Sequence, residues 1–416
     1  MEKEEKKAPK LRFNGYTNDW ERKKLGDVAK ITPGGTPSKN ISNYWYPKEI
    51  PWLSSGEINK EIIFSTDGMI SKKGFNNSSA KWIKQDSVLI ALAGQGKTRG
   101  KVAINRIPLT TNQSIAGIEP SNEVYYKFLY HQLTKDYLKL RLISSGDGSR
   151  GGLNKKLLND YAVNLSSIDE QHKLGILLSH IDNTLQLHER KYEELALIKK
   201  ALLQKLFPKN DEVAPEVRYK NFNDAWEQRK LGEVGKTFTG LSGKTKEDFG
   251  HGDAHFVTYM NVYSNPISDP NMVENVEIDT KQQEVKKGDV FFTTSSETPE
   301  EVGMSSVWLS DAPHIYLNSF CFGFRPTVNI FHPYYLAYLL RSNNIRNKMM
   351  ILAQGISRYN ISKNKVMKLN VTIPNIREQQ KIGEFFKQLD FLITLHHRKL
   401  EKLKQLKKFL LQNMFI

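Results

Sequence analysis

The chain has 416 residues, a hydrophobic content of 39% and a formal net charge of +16. Its length allows about two or three domains with real cores, and its positive charge favours a polyanionic partner, most simply nucleic acid. Its single cysteine, Cys321, excludes an intrachain disulfide, and no apolar run approaches the roughly 18 residues of a membrane span. We therefore expect a cytoplasmic protein in a reducing compartment, with no signal peptide in its charged first ten residues.

Residues 1–10 predict a disordered, charged tail. The next stretch, LRFNGYTNDWERKKLGDVAK at 11–30, recurs at 217–236 as VRYKNFNDAWEQRKLGEVGK, a shift of 206. Such a self-match indicates an internal duplication of about half the chain. Trp20 and Trp226 occupy the same place in the two copies, and we expect both to be core or helix-docking anchors.

The remainder of each half predicts short strands separated by Gly, Pro, Asn and Ser turns, and then a helix. In the first half the strands are 50–54, 87–93, 101–104, 114–118 and 161–165, and the helix is 122–143, with Leu138 and Leu142 on its apolar side. In the second half the strands are 256–262, 289–294, 305–309, 319–324 and 369–373, and the helix is 333–352.

The duplication is uneven along the chain. Residues 31–105 and 237–310 barely match, whereas landmarks such as Asn112 and Asn318 persist at a shift of 206. Two halves with one scaffold and different interiors suggest two binding modules of different specificity.

Each half closes with a long helical run, Glu170–Phe207 and Glu378–Phe415, and about 17 of 38 positions are identical between them. The apolar positions alternate in steps of three and four, which is the a/d heptad pattern of a coiled coil. We expect the two helices to pack together; two separate helices, each docked on its own domain, are the alternative. The seam positions are Leu174, Leu178, Ile181, Leu185, His188, Tyr192, Leu195, Lys199, Leu202 and Leu206, then Ile382, Phe386, Leu389, Ile393, His396, Leu400, Leu403, Lys407, Leu410 and Met414.

The layout resembles the specificity subunit of a type I restriction-modification system. The resemblance rests on the repeated WERKKLGDV and WEQRKLGEV stretches, the SRGGLN and SRYNIS loops, and the EQ-K-G openings of both long helices. It implies an α+β fold with two tandem α/β target-recognition domains, related by a pseudo-two-fold axis and separated by two long antiparallel coiled-coil helices. The implied boundaries are a tail at 1–10, domain 1 at 11–168, a spacer helix at 169–208, a linker at 209–216, domain 2 at 217–376 and a second spacer helix at 377–416.

The resemblance also implies a function and partners. Each domain would read one part of a bipartite site in double-stranded DNA. The helices would act as a spacer and dock two modification (methyltransferase) subunits, to which restriction-translocase subunits attach. The chain itself would be non-catalytic and bind no cofactor, while its methyltransferase partners would use S-adenosylmethionine; no membrane is involved. Antiparallel helices would bring His188 and His396 close together near their midpoints, unless both histidines simply face solvent at the edge of the seam.

Candidate DNA contacts lie on loops, because phosphates are bound by Lys and Arg and base edges by Arg, Lys, Asn, Gln, Ser or Thr. For any single residue, a solvated loop side chain is the alternative; the repeated Ser-Arg pair is the strongest candidate. In the first half the candidates are Gln95, Lys97, Thr98, Arg99, Lys101, Ser149 and Arg150. In the second half they are Lys244, Thr245, Lys246, Ser295, Ser296, Thr298, Ser357 and Arg358.

Catalytic interpretations find little support. GQGKT at 94–98 lacks the first glycine of a phosphate-binding loop, which would fall at Ala91, and a strand is predicted after it. His251 and His255 have no nearby third zinc ligand, and Cys321 lies in an apolar run typical of packing. Two other functions stay open: a stand-alone nuclease or methyltransferase, and a coiled-coil scaffold whose charge is incidental.

Overall fold

A computed structural model of the chain describes residues 7–94, 97–143, 152–209 and 212–416. The chain divides into two units. The first unit holds the residues up to Glu189 together with Arg398–Ile416, and the second unit is Arg190–His397. Each long helix therefore contributes one segment to each unit.

The described residues of the first unit form ten strands in three sheets. The sheet orders are β2-β9-β6-β7-β4, β5-β3-β8 and β1-β10. The strands are β1 (Glu21–Lys24), β2 (Ala29–Pro33), β3 (Ile50–Leu53), β4 (Ile62–Ile63), β5 (Gly68–Ile70), β6 (Val88–Ala91), β7 (Val102–Asn105), β8 (Thr110–Thr111), β9 (Ile115–Pro120) and β10 (Ala162–Leu165). The helices are α1 (Leu25–Val28), α2 (Lys72–Asn76), α3 (Tyr126–Lys135), α4 (Tyr137–Ile143), α5 (Lys155–Asn159) and α6 (Ile168–Lys205), whose C-terminal part belongs to the second unit.

In the second unit, the part of the chain that the structure describes forms four sheets, ordered β12-β19-β15-β17, β14-β13-β18, β11-β21 and β16-β20. The strands are β11 (Glu227–Lys230), β12 (Gly235–Thr239), β13 (Phe249–Val257), β14 (Val273–Val276), β15 (Val290–Thr293), β16 (Ser295–Ser296), β17 (Ser305–Val307), β18 (Ile315–Leu317), β19 (Cys321–Pro326), β20 (Tyr359–Asn360) and β21 (Asn370–Ile373). The helices are α7 (Leu231–Val234), α8 (Tyr259–Ser264), α9 (Pro333–Leu340), α10 (Asn343–Leu352), α11 (Lys363–Val366) and α12 (Ile376–Asn413), whose C-terminal part belongs to the first unit.

The two units repeat one topology although their interiors hardly match in sequence. In the first unit β3 pairs antiparallel with β5 and parallel with β8. In the second unit β13 pairs antiparallel with β14 and parallel with β18. The larger sheets share the order β2-β9-β6-β7 and β12-β19-β15-β17. The predicted combination of one scaffold with two different interiors is confirmed.

The heptad pattern is confirmed as a packed seam. None of the predicted seam positions is exposed, and Leu178 and Phe386 are fully buried. Within the first unit, Lys407 of α12 forms an ion pair with Asp182 of α6, with Nζ and Oδ1 2.6 Å apart. Within the second unit, Lys199 of α6 reaches Asp390 of α12 at 2.5 Å.

The helices run antiparallel. In the second unit, successive positions along α6 meet earlier and earlier positions along α12. The Tyr192 ring lies 5.7 Å from that of His397, and the Phe207 ring, just beyond α6, lies 5.9 Å from that of Phe386. The alternative of two helices that do not pack on each other is therefore wrong.

The repeated EQ opening of each long helix fastens the helix to its domain. Arg12 donates two hydrogen bonds of 2.8 Å to Glu170, and Arg218 donates the same pair to Glu378. Both carboxylates are buried, so a bidentate arginine supplies the partner that a buried charge requires.

The next residue, Gln171 or Gln379, completes this attachment. Gln171 accepts from the backbone N–H of Tyr125 at 3.0 Å and donates to two backbone carbonyls, and Gln379 makes the corresponding three bonds. A Cβ at Gly175 would lie 2.9 Å from the backbone nitrogen of Phe128. The EQ-K-G motif is therefore explained by packing and hydrogen bonding within each unit.

The tryptophan prediction is also confirmed. Trp20 is 5% exposed and its ring packs against Phe128 at 5.5 Å. Trp226 is 2% exposed and packs against Tyr335 at 6.1 Å. Both indoles belong to the core of their unit, so neither is available to stack on a base.

Two kinds of element prediction were wrong. The strand predicted at 256–262 ends at Val257, because the Thr258 side chain caps α8 by accepting a bond from the Asn261 N–H at 3.2 Å. The helices predicted at 122–143 and 333–352 are each two helices. The break at Asp136 changes the helical phase, so that Leu140 is buried while Leu138 and Leu142, predicted as apolar-face residues, are 70% and 74% exposed.

Candidate nucleic-acid interface

In the second unit, the structure brings the Ser295–Thr298 run beside the Ser357-Arg358 pair. The run lies in the connection from β15 to β17, whose strand β16 pairs with β20. Ser295 is opposite Asn360 in this ladder, and Ser296 is opposite Tyr359. Two stretches separated by about sixty residues in the sequence thus form one surface.

The Ser-Arg pair lies at the tip of a hairpin that we call the tip hairpin, residues 354–360. The backbones of Gln354 and Asn360 close it with two hydrogen bonds, of 2.9 and 2.8 Å. Gly355 has a φ of +149°, and a Cβ there would lie 2.0 Å from the carbonyl oxygen of Arg358. Only glycine fits this position. Ser357 and Arg358 follow it in the hairpin, and both are exposed.

Positive charge continues beyond the tip hairpin. Lys363 and Lys365 lie on α11 and Lys368 follows it, and all three are exposed. These lysines and Arg358 form no ion pair with any other residue in the described ranges. Unpaired cations on a single surface are what a phosphate backbone attracts.

Two partly buried arginines hold the β15–β17 connection and the start of β17 in place. Arg346 on α10 donates bonds of 2.7 Å to the carbonyl oxygens of Glu300, Val302 and Gly303. Arg341 donates to the carbonyl of Ser305 at 2.7 Å and to three carbonyls around α8. Burial lowers the pKa of each guanidinium to about 10. These arginines therefore remain charged at neutral pH and position the loop rather than DNA.

The remaining candidates of the second unit differ in how free their side chains are. Ser296 donates to Glu301 at 2.9 Å, whereas the buried Ser295 hydroxyl has no hydrogen-bond partner among the described residues. Thr298 is exposed. The Ser296 and Tyr263 hydroxyls both donate to the Glu301 carboxylate, and these bonds lower its pKa.

The Lys244–Lys246 candidates lie in a separate loop before β13. Lys244 forms an ion pair of 3.1 Å with Asp279, and a backbone bond together with this pair lowers the pKa of Asp279 to about 2. The backbone N–H and the hydroxyl of Thr245 both donate to the Asp248 carboxylate, at 2.6 and 3.1 Å. Lys246 is exposed. Lys246 is therefore the exposed lysine of this loop that forms no ion pair among the described residues.

In the first unit, the corresponding loop connects β6 to β7. Lys97 is exposed, and its carbonyl accepts a bond of 2.7 Å from the Tyr137 hydroxyl of α4. Thr98 and Arg99 are half-buried, and the Lys101 ammonium donates to Asn59 at 2.7 Å. Gln95, Ser149 and Arg150 lie outside the described residues. The loop is thus braced by α4, as its counterpart is braced by α10.

One backbone hydrogen bond shows that the two loops occupy equivalent places in their units. In the first unit, the N–H of Leu153 donates to the carbonyl of Leu92 at 2.8 Å. In the second unit, the N–H of Ile361 donates to the carbonyl of Thr294 at 2.9 Å. Each bond joins the residue after β6 or β15 to the residue three positions after the Ser-Arg pair. The predicted similarity of place between the loops is therefore present in the folded units.

The residues weighed for catalysis lie in ordinary structural settings. A strand, β7, follows the GQGKT loop as expected. Cys321 is buried, and burial raises the pKa of its thiol to about 12. His251 faces Glu277 at 3.3 Å, and the described residues contain no cluster of His, Cys, Asp or Glu that could hold a metal ion. Within those residues no helix is both long and apolar enough to cross a membrane.

Sequence reasoning overlooked part of this surface. Ile356 at the hairpin tip is 96% exposed, and Phe320, whose carbonyl accepts a bond from the Thr294 hydroxyl, is 58% exposed. The lysines around α11 were also not among the candidates. The sequence offers one signal for Ile356: it is an apolar residue between Gly355 and Ser357 that belongs to no amphipathic pattern. The proximity of His188 and His396 stays a prediction.

Comparison with known proteins identifies the family. The type I restriction modification DNA specificity domain matches the chain twice, at residues 17–197 and 223–405. The chain belongs to this family and carries two copies of its domain. The two copies agree with the duplicated topology described above.

Individual relatives agree with this assignment. The MjaVIII specificity subunit of Methanocaldococcus jannaschii is 23% identical over 94% of this chain and 90% of its own length. The MjaIX specificity subunit of that organism is 28% identical, but the match spans 55% of this chain and about half, 54%, of the relative. The crystal structure of a type I system S subunit from M. genitalium covers 98% of this chain and 99% of its own, with a TM-score of 0.64 and 15% identity. At this identity the likeness concerns the fold.

Proposed function

We propose that this chain is the sequence-specific DNA-recognition subunit of a type I restriction-modification complex. Each unit reads one half of a bipartite site in double-stranded DNA. The surface that carries the reading in the second unit consists of the tip hairpin, the adjoining Ser295–Thr298 run and the lysines around α11. The equivalent β6–β7 loop, with Lys155 and Lys156 of α5, carries it in the first unit.

The observation that carries this proposal is a group of exposed cationic side chains, on and beside the tip hairpin, that form no ion pair in the described ranges. Arg358 extends from a hairpin fixed at both ends, and Lys363, Lys365 and Lys368 are exposed beside it without ion pairs in the described ranges. Exposed lysines beside such a surface suit phosphates, and an arginine at its tip suits either a phosphate or a guanine edge. Because hydrogen bonds already hold the hairpin in place, DNA binding should cost less conformational entropy there.

Partners follow from the family. We propose that two modification subunits dock on the long helices and supply methyl transfer with S-adenosylmethionine, and that restriction-translocase subunits join through them. The chain itself performs no chemistry in this proposal, and no resident cofactor is assigned to it. A cytoplasmic location follows, because the substrate is chromosomal or invading DNA.

The test is selection from randomised duplexes by the full-length chain copurified with its modification subunits. We expect two enriched blocks of a few base pairs, separated by a gap of fixed length and unrestricted sequence. Arg358→Ala should weaken enrichment of one block and leave the other intact. Enrichment of no sequence would contradict the proposal, and turnover of DNA by the isolated chain would favour a stand-alone enzyme.

A further inference from the structure

The tip hairpin presents an isoleucine almost entirely to solvent. Ile356 is 96% exposed and lies directly between Gly355 and the Ser357-Arg358 pair. A branched apolar side chain gains free energy when another apolar group removes it from water. Its exposure within the proposed DNA-binding surface leaves it accessible to a bound duplex.

The hairpin that carries Ile356 is held on three sides. The Gln354–Asn360 pair closes its base, the β16–β20 ladder joins it to Ser295 and Ser296, and the Ile361 N–H bonds to Thr294 at 2.9 Å. Glycine at position 355 fixes the direction of the tip, since any other residue would collide with the Arg358 carbonyl. The isoleucine is thus presented in a defined direction, as selective recognition requires.

The surroundings of Ile356 indicate which part of DNA it meets. The methyl group of thymine is the apolar group displayed on the floor of the major groove. Arg358 and Ser357 beside Ile356 can bond to base edges or phosphates, and the exposed lysines around α11 suit phosphates. These neighbours make DNA, rather than a protein surface, the occupant that fits the charge of this region.

We infer that Ile356 is a base-reading residue, which packs against the methyl group of a thymine in the half-site bound by the second unit. The inference rests on the proposed function and specifies one base-pair preference within it. In the first copy of the repeat, the residue at the same distance before the Ser-Arg pair is Gly148, which has no side chain. The first unit therefore has no side chain at this position that could make the same contact.

The experiment uses the full-length chain copurified with its modification subunits and a duplex bearing the selected bipartite site. Each thymine of the second unit's half-site is replaced in turn by deoxyuridine, which lacks only the methyl group. We expect one replacement to weaken wild-type binding about three- to tenfold. Ile356→Ala should weaken binding to the unmodified duplex by a similar factor and respond no further to that replacement.

Ile351→Ala is the matched control, because Ile351 is also a highly exposed isoleucine, at 81%, but lies on α10 outside the hairpin. This variant should bind as wild type does and keep the response to deoxyuridine. The inference is overturned if no replacement affects wild-type binding, if Ile356→Ala keeps the full response, or if the half-site contains no thymine. If the wild-type complex selects no sequence at all, the proposed function fails, and the inference fails with it.

Discussion

The first and second units attach their long helices in the same way but present different reading surfaces. Arg12–Glu170 and Arg218–Glu378 have the same bidentate geometry, with all four bonds at 2.8 Å. The β6–β7 loop of the first unit is glycine-rich in sequence, and the β15–β17 connection of the second carries a strand, β16, that pairs with β20 of the tip hairpin. The comparison teaches that the duplicated residues maintain the attachment of the long helices, while both the interiors and the proposed reading surfaces have diverged in sequence.

The largest effect should follow from exchanging the reading part of one unit. Replacing Thr237–Ile361 with the matching segment of a family member of different specificity should change the second half-site and leave the first unchanged. Preference for the original second half-site should fall about a thousandfold. Methylation mapping in cells that carry the hybrid measures this. An exchange that stops at residue 355 separates the tip hairpin from its partner strand and should give a weaker, mixed preference; alteration of both half-sites by the longer exchange would contradict the modular account.

Removing one arginine should destabilise the second unit. Arg218→Ala leaves the fully buried Glu378 carboxylate without its partner, which should cost about 3 kcal/mol of unfolding free energy. Urea denaturation of the full-length protein measures this loss. Arg229→Ala removes an exposed pair with Glu227 and should change stability by less than about 0.5 kcal/mol. Equal effects of the two substitutions would show that the buried pair is not a structural attachment.

A smaller effect is expected at the tip of the hairpin. Arg358→Ala should weaken binding to the specific duplex about tenfold and lower the salt slope of log K by about one if Arg358 contacts a phosphate. Fluorescence anisotropy at several salt concentrations provides both values. Lys287→Ala, which removes an exposed lysine paired with Asp311, is the control and should leave both values unchanged. Unaltered binding by Arg358→Ala would remove the strongest single candidate for DNA contact.

The units also differ where an aspartate of the long helix faces its domain. In the first unit Asp182 lies 3.9 Å from the ring of His131, whereas in the second unit Asp390 accepts a bond of 2.8 Å from the Tyr338 hydroxyl. Burial lowers the pKa of His131 well below its usual value, and the nearby Lys407 acts in the same direction. The folded unit therefore keeps this imidazole neutral.

This difference predicts a pH effect. Below pH of about 6.5, the unfolded chain protonates the histidine while the folded chain does not, so the stability of the first unit should fall as pH decreases, by about 1.4 kcal/mol per unit at most. His131→Tyr installs the arrangement of the second unit and should flatten this dependence. Denaturation at pH 7.5 and 5.5 tests the prediction. An unchanged slope in the variant would show that His131 is not its source.

Periodicity predicted the parts of the fold that local pattern determines. The seam positions of the long helices and the two tryptophan anchors follow from residues that repeat at fixed spacing. The strand predicted at 256–262 was wrong because a single capping residue, Thr258, outweighs the apolar pattern around it. The break at Asp136 was not predicted either. Which face of α4 is buried depends on packing after the break, and the apolar pattern alone does not show it.

The candidate site was harder to predict from the sequence, because its residues contact others that lie far away along the chain. Lys244 and Lys246 look alike in the sequence, but Lys244 forms an ion pair with Asp279 and Lys246 does not. Arg346 resembles any exposed helical arginine until its bonds to the 300–303 loop are seen. Which of the candidate residues touch DNA stays a prediction, since base contacts depend on the geometry of the bound duplex.

Single-molecule sequencing of methylated bases in host DNA, with and without this gene, tests the central claim most directly. We predict that deletion removes one bipartite methylated motif, and that restoring the gene with Arg358→Ala recovers methylation only weakly. An unchanged methylation pattern, in cells shown to express this protein and a partner methyltransferase, would contradict the specificity role and favour a scaffold or a stand-alone enzyme.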